Sequence, residues 1–309
     1  MEFIKGVTFA PFACRGCFQT KEAFESLDNL KARTGANFIT LVPNGVQATA
    51  QSEEIVWDTE VTMADDELIA MIDYAHEIGL KVALKPTVNC TNGTWRAHIN
   101  FFDKDVHCEP KWSVWFASYT AFQLHYAKIA QKTGCEMFLP GCEMVMSERR
   151  EAEWRKLISD IRTVYTGLVS YNTDKYQEDN VSWWDCVDVI SSSGYYPLED
   201  WDKELDRIEK VVNKYQKPFF FAECGCMSTT GSSKVPNNWC LQGEVNLEEQ
   251  AAWYKAMFEA CKKRSFVQGF CLWDWSCRQY SLCKAATHGA YEIYGKPAED
   301  VVKEYYDSI

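Results

Sequence analysis

The chain has 309 residues and carries 44 Asp and Glu against 32 Lys and Arg, which gives a formal net charge of −12. This acidic balance argues against nucleic acid or an anionic membrane surface as a partner, because both recruit surfaces rich in Lys and Arg. Hydrophobic residues make up 47% of the chain, enough for a large core, yet no apolar run approaches the roughly 18 residues of a membrane span.

The N-terminal sequence has neither the basic nor the apolar region of a signal peptide. We therefore expect a cytoplasmic protein, although a secreted mature form would look the same. In that compartment the 14 cysteines are expected to be reduced thiols. Cys14 and Cys17 form a C-x-x-C pair, but no second pair or histidine is spaced to complete a zinc site, so we expect neither a metal nor a cofactor.

Short apolar runs alternate with amphipathic segments along the chain, which is the pattern of repeated βα units. The eight predicted strands are Lys5–Ala10, Asn37–Val42, Lys81–Val88, Met137–Cys142, Leu168–Tyr171, Val187–Ser193, Pro218–Ala222 and Val267–Trp273. The predicted helices lie between them: Thr20 to Gly35, Thr62 to Gly79, Trp112 to Gly134, Ser147 to Gly167, a short one at Trp183–Cys186, Leu198–Tyr215, Leu247–Lys263 and Pro297–Asp307.

Eight strands that are each followed by helical sequence predict an α/β fold, a single-domain (β/α)8 TIM barrel that takes up residues 1–309. The turn after the first strand lacks the G-x-G-x-x-G motif of a doubly wound nucleotide-binding sheet. In such barrels the active site lies at the C-terminal ends of the strands. The catalytic and substrate-binding residues are therefore expected at the C-terminal ends of the predicted strands.

Two glutamates follow apolar strands directly: Glu143 ends strand four and Glu223 ends strand seven. A charge at the barrel mouth costs free energy unless it is paired or used, and burial raises the pKa of a carboxyl group. Two carboxyls about 5–5.5 Å apart support retaining glycoside hydrolysis, whereas about 6.5–9.5 Å indicates inversion. A single strand-end glutamate is better explained by an ion pair with a nearby Lys or Arg, but two of them on strands four and seven of one barrel favour catalysis. Asp174 and Asp274 also end strands and are alternative carboxylates, expected in the polar wall.

Aromatic side chains offer flat apolar platforms for the C–H faces of sugar rings. Trp273 is expected to form the floor beneath the cleaved sugar, with Trp275 on the same side of the strand, and Trp95 to form an outer platform. Four other tryptophans have helical spacing and are expected to pack the outer layer of the barrel: Trp112, Trp115, Trp154 and Trp253.

Six short motifs stand in order from strand three to strand eight. They are Lys85-Pro-Thr-Val-Asn89, Gly93-Thr-Trp-Arg96, Gly141-Cys-Glu143, Ser193-Gly-Tyr-Tyr-Pro197, Phe221-Ala-Glu-Cys-Gly225 and Trp273-Asp-Trp275. In this order and placement the chain resembles the clan A glycoside hydrolases. Within that clan it is most similar to glycoside hydrolase family 113, the β-1,4-mannanases. The resemblance covers the whole βα framework.

The resemblance implies that Glu143 is the general acid/base and Glu223 the nucleophile of a retaining reaction on β-mannan or manno-oligosaccharides. Tyr195 or Tyr196 would hold the nucleophile through its hydroxyl. The chain departs from most of the clan at Cys142, where an Asn that binds the sugar 2-hydroxyl usually stands. Further sugar ligands are expected at the end of strand three and in the loop after it, namely Lys85, Asn89 and Arg96. The loop after strand seven is expected to add Asn237, with Asn238 and Trp239 beside it.

Three other functions stay open from the sequence. The first is another clan A activity, such as a xylanase or a galactanase. The second is a barrel that binds glycans without cleaving them, which the presence of both carboxylates disfavours. The third is a phosphate-binding barrel that uses Gly231–Lys234 after strand seven. For the mannanase that the resemblance implies, a monomer is expected.

Overall fold

The computed structural model describes residues 1–309. Its ten strands are β1 Ile4–Phe9, β2 Phe38–Leu41, β3 Asn44–Gln47, β4 Lys81–Leu84, β5 Thr87–Cys90, β6 Met137–Phe138, β7 Leu168–Thr173, β8 Val189–Ser193, β9 Phe219–Cys224 and β10 Val267–Trp275. Its seven α-helices are α1 Lys21–Thr34, α2 Asp65–Glu77, α3 Trp112–Thr133, α4 Glu151–Arg162, α5 Trp201–Tyr215, α6 Leu247–Lys262 and α7 Pro297–Asp307. None of these helices is both long and apolar enough to cross a membrane.

Eight of the strands close into a parallel barrel in the order β1, β2, β4, β6, β7, β8, β9, β10 and back to β1. The predicted (β/α)8 barrel is therefore confirmed. A helix follows each barrel strand except β7, where a single 3-10 turn at Trp184–Cys186 connects to β8.

The protein has two apolar layers. Inside the barrel nine apolar side chains pack together: Ile4, Phe38, Ala83, Met137, Leu139, Val189, Phe220, Ala222 and Cys271. A much larger cluster lies between the strands and the helices, and the four tryptophans predicted for the outer layer belong to it. Side chains alternate across each strand, so one face of the strand fills the barrel and the other packs on the helices.

The predicted third strand, Lys81–Val88, is interrupted in the structure. Pro86 has no N–H to donate to a strand ladder, and β4 ends at Leu84. The chain then resumes as β5, which pairs with β3 in a separate two-stranded parallel sheet. This small sheet was not predicted, and it places Lys85 and Asn89 on different sides of the break.

The helix ends follow local capping. The Thr20 side chain accepts a hydrogen bond from the Ala23 N–H, and Gly35 and Gly134 end α1 and α3 in the left-handed conformation, as predicted. In contrast, α2 begins three residues after Thr62, because the Thr62 hydroxyl donates instead to the Trp57 carbonyl at 2.8 Å.

Candidate active site

A cleft of about 550 Å³ opens at the C-terminal ends of the barrel strands. Both glutamates singled out from the sequence lie in it. Its lining residues are Phe12, Asn89, Trp95, Arg96, Glu143, Asp174, Lys175, Tyr195, Glu223, Asn237, Asn238, Trp239, Cys240 and Trp273. The cleft is thus built from segments that are far apart in the chain but share one end of the barrel.

Glu223 lies in β9 and is held by three neighbouring side chains. Lys85 Nζ lies 2.5 Å from Oε1, and the Cys142 thiol donates to the same oxygen at 3.2 Å. The Tyr195 hydroxyl donates to Oε2 at 3.2 Å. All three donors are buried, so the carboxylate has a fixed orientation at the base of the cleft.

The pKa of Glu223 is lowered although the residue is buried. Burial by itself would raise the pKa, but the Lys85 ammonium outweighs it through its charge and its hydrogen bond, with further help from Arg96 and Cys142. Glu223 is therefore an ionised carboxylate over a wide pH range, which is the state that a nucleophile requires.

Glu143 lies in the loop beyond β6, with its backbone in the left-handed region at φ 53°. Its N–H donates to the Asn172 carbonyl at 2.7 Å, which ties the loop to β7. The Ser193 hydroxyl donates to Oε1 at 2.7 Å, and Trp95 Nε1 donates to Oε2 at 3.2 Å. A non-glycine residue at positive φ is uncommon, so these contacts hold the side chain in a place that the backbone alone would disfavour.

The pKa of Glu143 is raised, the opposite direction from Glu223. Burial is the main cause, and the negative charge of Glu223 adds to it. Neighbouring Asp174 also lines the cleft, and burial together with the charge of Glu143 raises its pKa to about 7. Two carboxyls with opposite pKa shifts in one cleft suit one acid and one base or nucleophile.

Aromatic rings form one wall of the cleft. Trp273 stands edge-on to Phe12 and to Trp239, with ring centroids 5.8 Å and 5.5 Å away. Tyr291 lies behind Trp239, at 4.4 Å between centroids, and its hydroxyl donates to the Pro236 carbonyl. Phe12 is 72% exposed. This wall offers flat apolar surfaces of the kind that sugar rings contact.

The predicted polar ligands Asn89, Arg96 and Asn237 all line the cleft. Asn89 Nδ2 donates to Asn44 Oδ1 at 2.9 Å, and the side-chain oxygen of Asn89 takes no part in that bond. Trp95 also lies there, 40% exposed, but its indole N–H is engaged with Glu143. It therefore contacts the acid/base candidate as well as the cleft.

Three predicted sugar ligands are not on the cleft surface. Lys85 is completely buried beneath Glu223 and bonds to that carboxylate. The Tyr196 side chain points away from the cleft, because successive residues of an extended segment face opposite sides, and its hydroxyl donates to Glu178 at 2.7 Å. Tyr195 is thus the tyrosine that holds Glu223.

Trp275 is the third correction. Val7 of β1 lies opposite Leu272 of β10, but Phe9 lies opposite Trp275, so β10 contains an extra residue there. This bulge breaks the alternation that was expected to place Trp273 and Trp275 on one side. Trp275 is buried outside the barrel, where its Nε1 donates to the Ser26 hydroxyl at 3.0 Å.

Sequence reasoning assigned no role to Ser193, Asn172 or Phe12. Ser193 ends β8 inside one of the six motifs, but its position at a strand end did not by itself reveal its contact with Glu143. Phe12 follows β1 by three residues, and a large aromatic residue at a strand end indicated the cleft wall. The Asn172 side chain is completely buried, and its contacts follow only from the three-dimensional arrangement.

The turn considered for phosphate binding is already filled. The N–H groups of Gly231 and Ser233 and the Ser233 hydroxyl donate to the Glu249 carboxylate at 2.6–3.0 Å. A carboxylate of the chain itself thus takes the place of an anion.

Asp274 is buried and is not among the cleft residues. No three His, Cys, Asp or Glu side chains are grouped as a metal site would require, and all 14 cysteines are free thiols.

The whole chain is similar to proteins of one family. The family model for Glycoside Hydrolase Family 113 matches residues 7–296. Two solved structures of a GH113 β-1,4-mannanase, one of them a complex, have 56% sequence identity and a TM-score of 0.99, with each chain covered completely. A comparison with curated proteins gave no match.

A third solved structure is the GH113 β-mannanase AaManA from Alicyclobacillus acidocaldarius, in complex with ManMIm. It has 42% identity and a TM-score of 0.96, covering all of this chain and 98% of that one. The family model and these identities agree with the barrel fold. The chain belongs to glycoside hydrolase family 113.

Proposed function

We propose that this protein is a retaining glycoside hydrolase that cleaves β-1,4-mannosidic bonds in mannan or manno-oligosaccharides. The observation that carries the proposal is the pair Glu143 and Glu223, which share one cleft and have pKa values moved in opposite directions. A protonated acid and an ionised carboxylate are the two groups that glycoside hydrolysis uses. The family 113 mannanases at 56% and 42% identity support mannan as the substrate.

In the first step Glu223 attacks the anomeric carbon of the bound sugar. Glu143 gives its proton to the glycosidic oxygen, so the bond to the leaving group breaks with its electron pair on a protonated oxygen. The product is a glycosyl ester on Glu223. Lys85 and Tyr195 keep the attacking carboxylate ionised and in place before the step.

In the second step a water molecule attacks the same carbon and releases Glu223. Glu143, now ionised, takes the proton of that water and returns to its starting state. Two inversions at the anomeric carbon give net retention. The raised pKa of Glu143 is consistent with this exchange, because the group must give up and recover a proton in each turnover.

The substrate lies against the aromatic wall in this proposal, with Trp273 as the floor beneath the cleaved sugar. Cys142 is buried, and its thiol faces Glu223, so it does not replace the usual clan Asn as a ligand of the 2-hydroxyl. We infer that cleft residues with free polar atoms, such as Asn89 and Arg96, bind hydroxyls instead. Action as a monomer stays a prediction. A cytoplasmic location stays a prediction.

A panel of polysaccharides with product sizing tests the proposal. We expect cleavage of β-1,4-mannan and manno-oligosaccharides, with xylan and galactan hydrolysed much more slowly. Preferred cleavage of xylan or galactan would instead assign one of the other clan A activities. If mannan binds but no polysaccharide is cleaved, the protein is a glycan-binding barrel and the catalytic proposal is wrong.

A further inference from the structure

A continuous row of buried hydrogen bonds joins the two glutamates beneath the cleft. Lys85 Nζ contacts both Glu223 Oε1, at 2.5 Å, and Asn172 Oδ1, at 3.0 Å. Asn172 Nδ2 donates to Ser193 Oγ at 3.1 Å, and the Ser193 hydroxyl donates to Glu143 Oε1 at 2.7 Å. The three linking side chains are completely buried, so water does not compete for these bonds.

The direction of each bond in this row is fixed by chemistry. The Lys85 ammonium can only donate, so the carbonyl oxygen of the Asn172 amide must face it. The two amide N–H groups of Asn172 then point to Ser193 Oγ and to the Thr173 carbonyl, the latter at 2.9 Å. Because Ser193 Oγ accepts from Asn172, its own proton is free for Glu143 Oε1.

The two oxygens of Glu143 are consequently in different positions. Oε1 accepts the Ser193 hydroxyl inside the protein. Oε2 lies 3.2 Å from Trp95 Nε1 and 3.9 Å from Arg96 Nη1, and both of those residues line the cleft. The oxygen that faces the substrate is therefore Oε2.

We propose that Ser193, oriented by Asn172, is a positioning residue that holds Glu143 by Oε1 and so keeps Oε2 as the atom that carries the catalytic proton. This inference rests on the proposed function, since it assigns a role within that reaction. In the first step the O–H bond at Oε2 breaks and the proton passes to the glycosidic oxygen. In the second step Oε2 takes a proton from the attacking water.

The pH dependence of the reaction reports on the same contact. The Ser193 hydroxyl favours the ionised form of Glu143 and lowers its pKa against the larger raising effects of burial and Glu223. The other titratable or charged groups that act on Glu143, or on which it acts, are Arg96, Lys85, Cys142, Asp174, Tyr195 and Tyr291. All of these side chains are still present in a variant that lacks only the Ser193 hydroxyl.

The test compares Ser193→Ala, which removes the hydroxyl, with Ser193→Thr, which keeps one. Each variant is assayed on mannotetraose and on 2,4-dinitrophenyl β-mannobioside, whose leaving group departs without protonation. For Ser193→Ala we expect kcat/KM on mannotetraose to fall about 10- to 100-fold, while kcat/KM on the aryl glycoside stays within about threefold of the parent. When kcat/KM on mannotetraose is plotted against pH, its decline at alkaline pH (the alkaline limb) should move to higher pH in Ser193→Ala. Ser193→Thr should resemble the parent protein in both respects.

Two results would overturn the inference. An equal loss on both substrates with an unmoved alkaline limb would make Ser193 a structural residue only. Parental activity of Ser193→Ala on both substrates would mean that it does not position Glu143. Failure of the unaltered protein to cleave either substrate would instead contradict the proposed function, so the two failures are distinguishable. Thermal unfolding of each variant checks that the fold is intact.

Discussion

At the scale of single residues, the two glutamates owe their difference to their neighbours. Glu223 has an ammonium group and two further donors within hydrogen-bond distance. Glu143 is equally buried, but its cationic neighbour Arg96 lies 3.9 Å away and its close partners are the neutral Ser193 and Trp95. The pKa values of the two glutamates thus shift in opposite directions, because the close Lys85 charge stabilises the carboxylate of Glu223 more than the more distant Arg96 charge stabilises that of Glu143.

The first prediction is a bell-shaped pH profile. Glu223 must be ionised, so kcat/KM falls as the pH drops through a pKa below the ordinary glutamate value of 4.5. Glu143 must be protonated, so kcat/KM falls again as the pH rises through a pKa above that value. The profile is measured on a manno-oligosaccharide at constant ionic strength. A single acidic limb with no alkaline decline would contradict the assignment of Glu143.

Lys85→Met should move both limbs of this profile to higher pH. The Lys85 charge lowers the pKa of Glu223 strongly and that of Glu143 more weakly, so its removal raises both. We also expect a large loss of activity, because Glu223 is left as a buried charge without its partner. The residual activity is followed across the pH range. An unmoved acidic limb would mean that Lys85 does not control the ionisation of Glu223.

The third prediction concerns the nucleophile itself. Glu223→Gln keeps the size and most contacts of the side chain but cannot form the glycosyl ester, so turnover of mannan should fall by about a thousandfold or more. Glu248→Gln, at an exposed site in α6, is the matched control and should retain full activity. Near-normal turnover by Glu223→Gln would remove Glu223 as the nucleophile. Circular dichroism verifies that both variants are folded.

At the scale of elements, the ends of strands decide what reaches the cleft. The extra residue in β10 sends Trp273 to the cleft and Trp275 to the layer beneath α1. The break after β4 leaves Lys85 under the active site, while β5 carries Asn89 up to the rim. The extra residue in β10 and the break after β4 both lie at the boundary between side chains that pack in the core and side chains that face the cleft.

The fourth prediction uses the two tryptophans of β10 as a matched pair. Trp273→Ala should lower kcat/KM on manno-oligosaccharides about 100-fold with a smaller effect on stability, because it removes the floor beneath the cleaved sugar. Trp275→Ala should lower the free energy of unfolding by about 3–5 kcal/mol, the usual cost of a large core truncation, and leave KM nearly unchanged. Equal kinetic effects of both substitutions would contradict the separation of their roles.

These element ends also mark the limit of sequence-based prediction. Apolar runs located all eight barrel strands, and the caps at Thr20, Gly35 and Gly134 were visible because capping is local. The bulge before Trp275 could not be seen, since it depends on the pairing of β10 with β1. Likewise, Lys85 was expected to contact sugar. The sequence does not show whether a lysine at a strand end will contact the substrate or form an ion pair with a buried carboxylate, as Lys85 does with Glu223.

At the scale of the whole molecule, the barrel brings distant segments into one site. Glu143 and Glu223 were predictable as a pair because the fold dictates that the ends of parallel strands meet at one face. The linking residues Asn172 and Ser193 were not, because their importance comes from contacts with each other and with Lys85. Such contacts leave no periodic pattern in the sequence.

The net charge of −12 leads to the fifth prediction. A neutral polysaccharide gains little from long-range electrostatics, so KM for mannan should change by less than about twofold between about 50 and 500 mM salt. The measurement is a set of Michaelis–Menten curves at fixed pH. A steep dependence on salt would point to a charged substrate and against a neutral mannan.

The most direct test of the account is the stereochemistry of the first product. Proton NMR during hydrolysis of a manno-oligosaccharide records which anomer appears before mutarotation sets in. Double displacement through Glu223 predicts that the β-anomer forms first. Early appearance of the α-anomer would mean a single displacement by water, and it would contradict the role of Glu223 as a nucleophile.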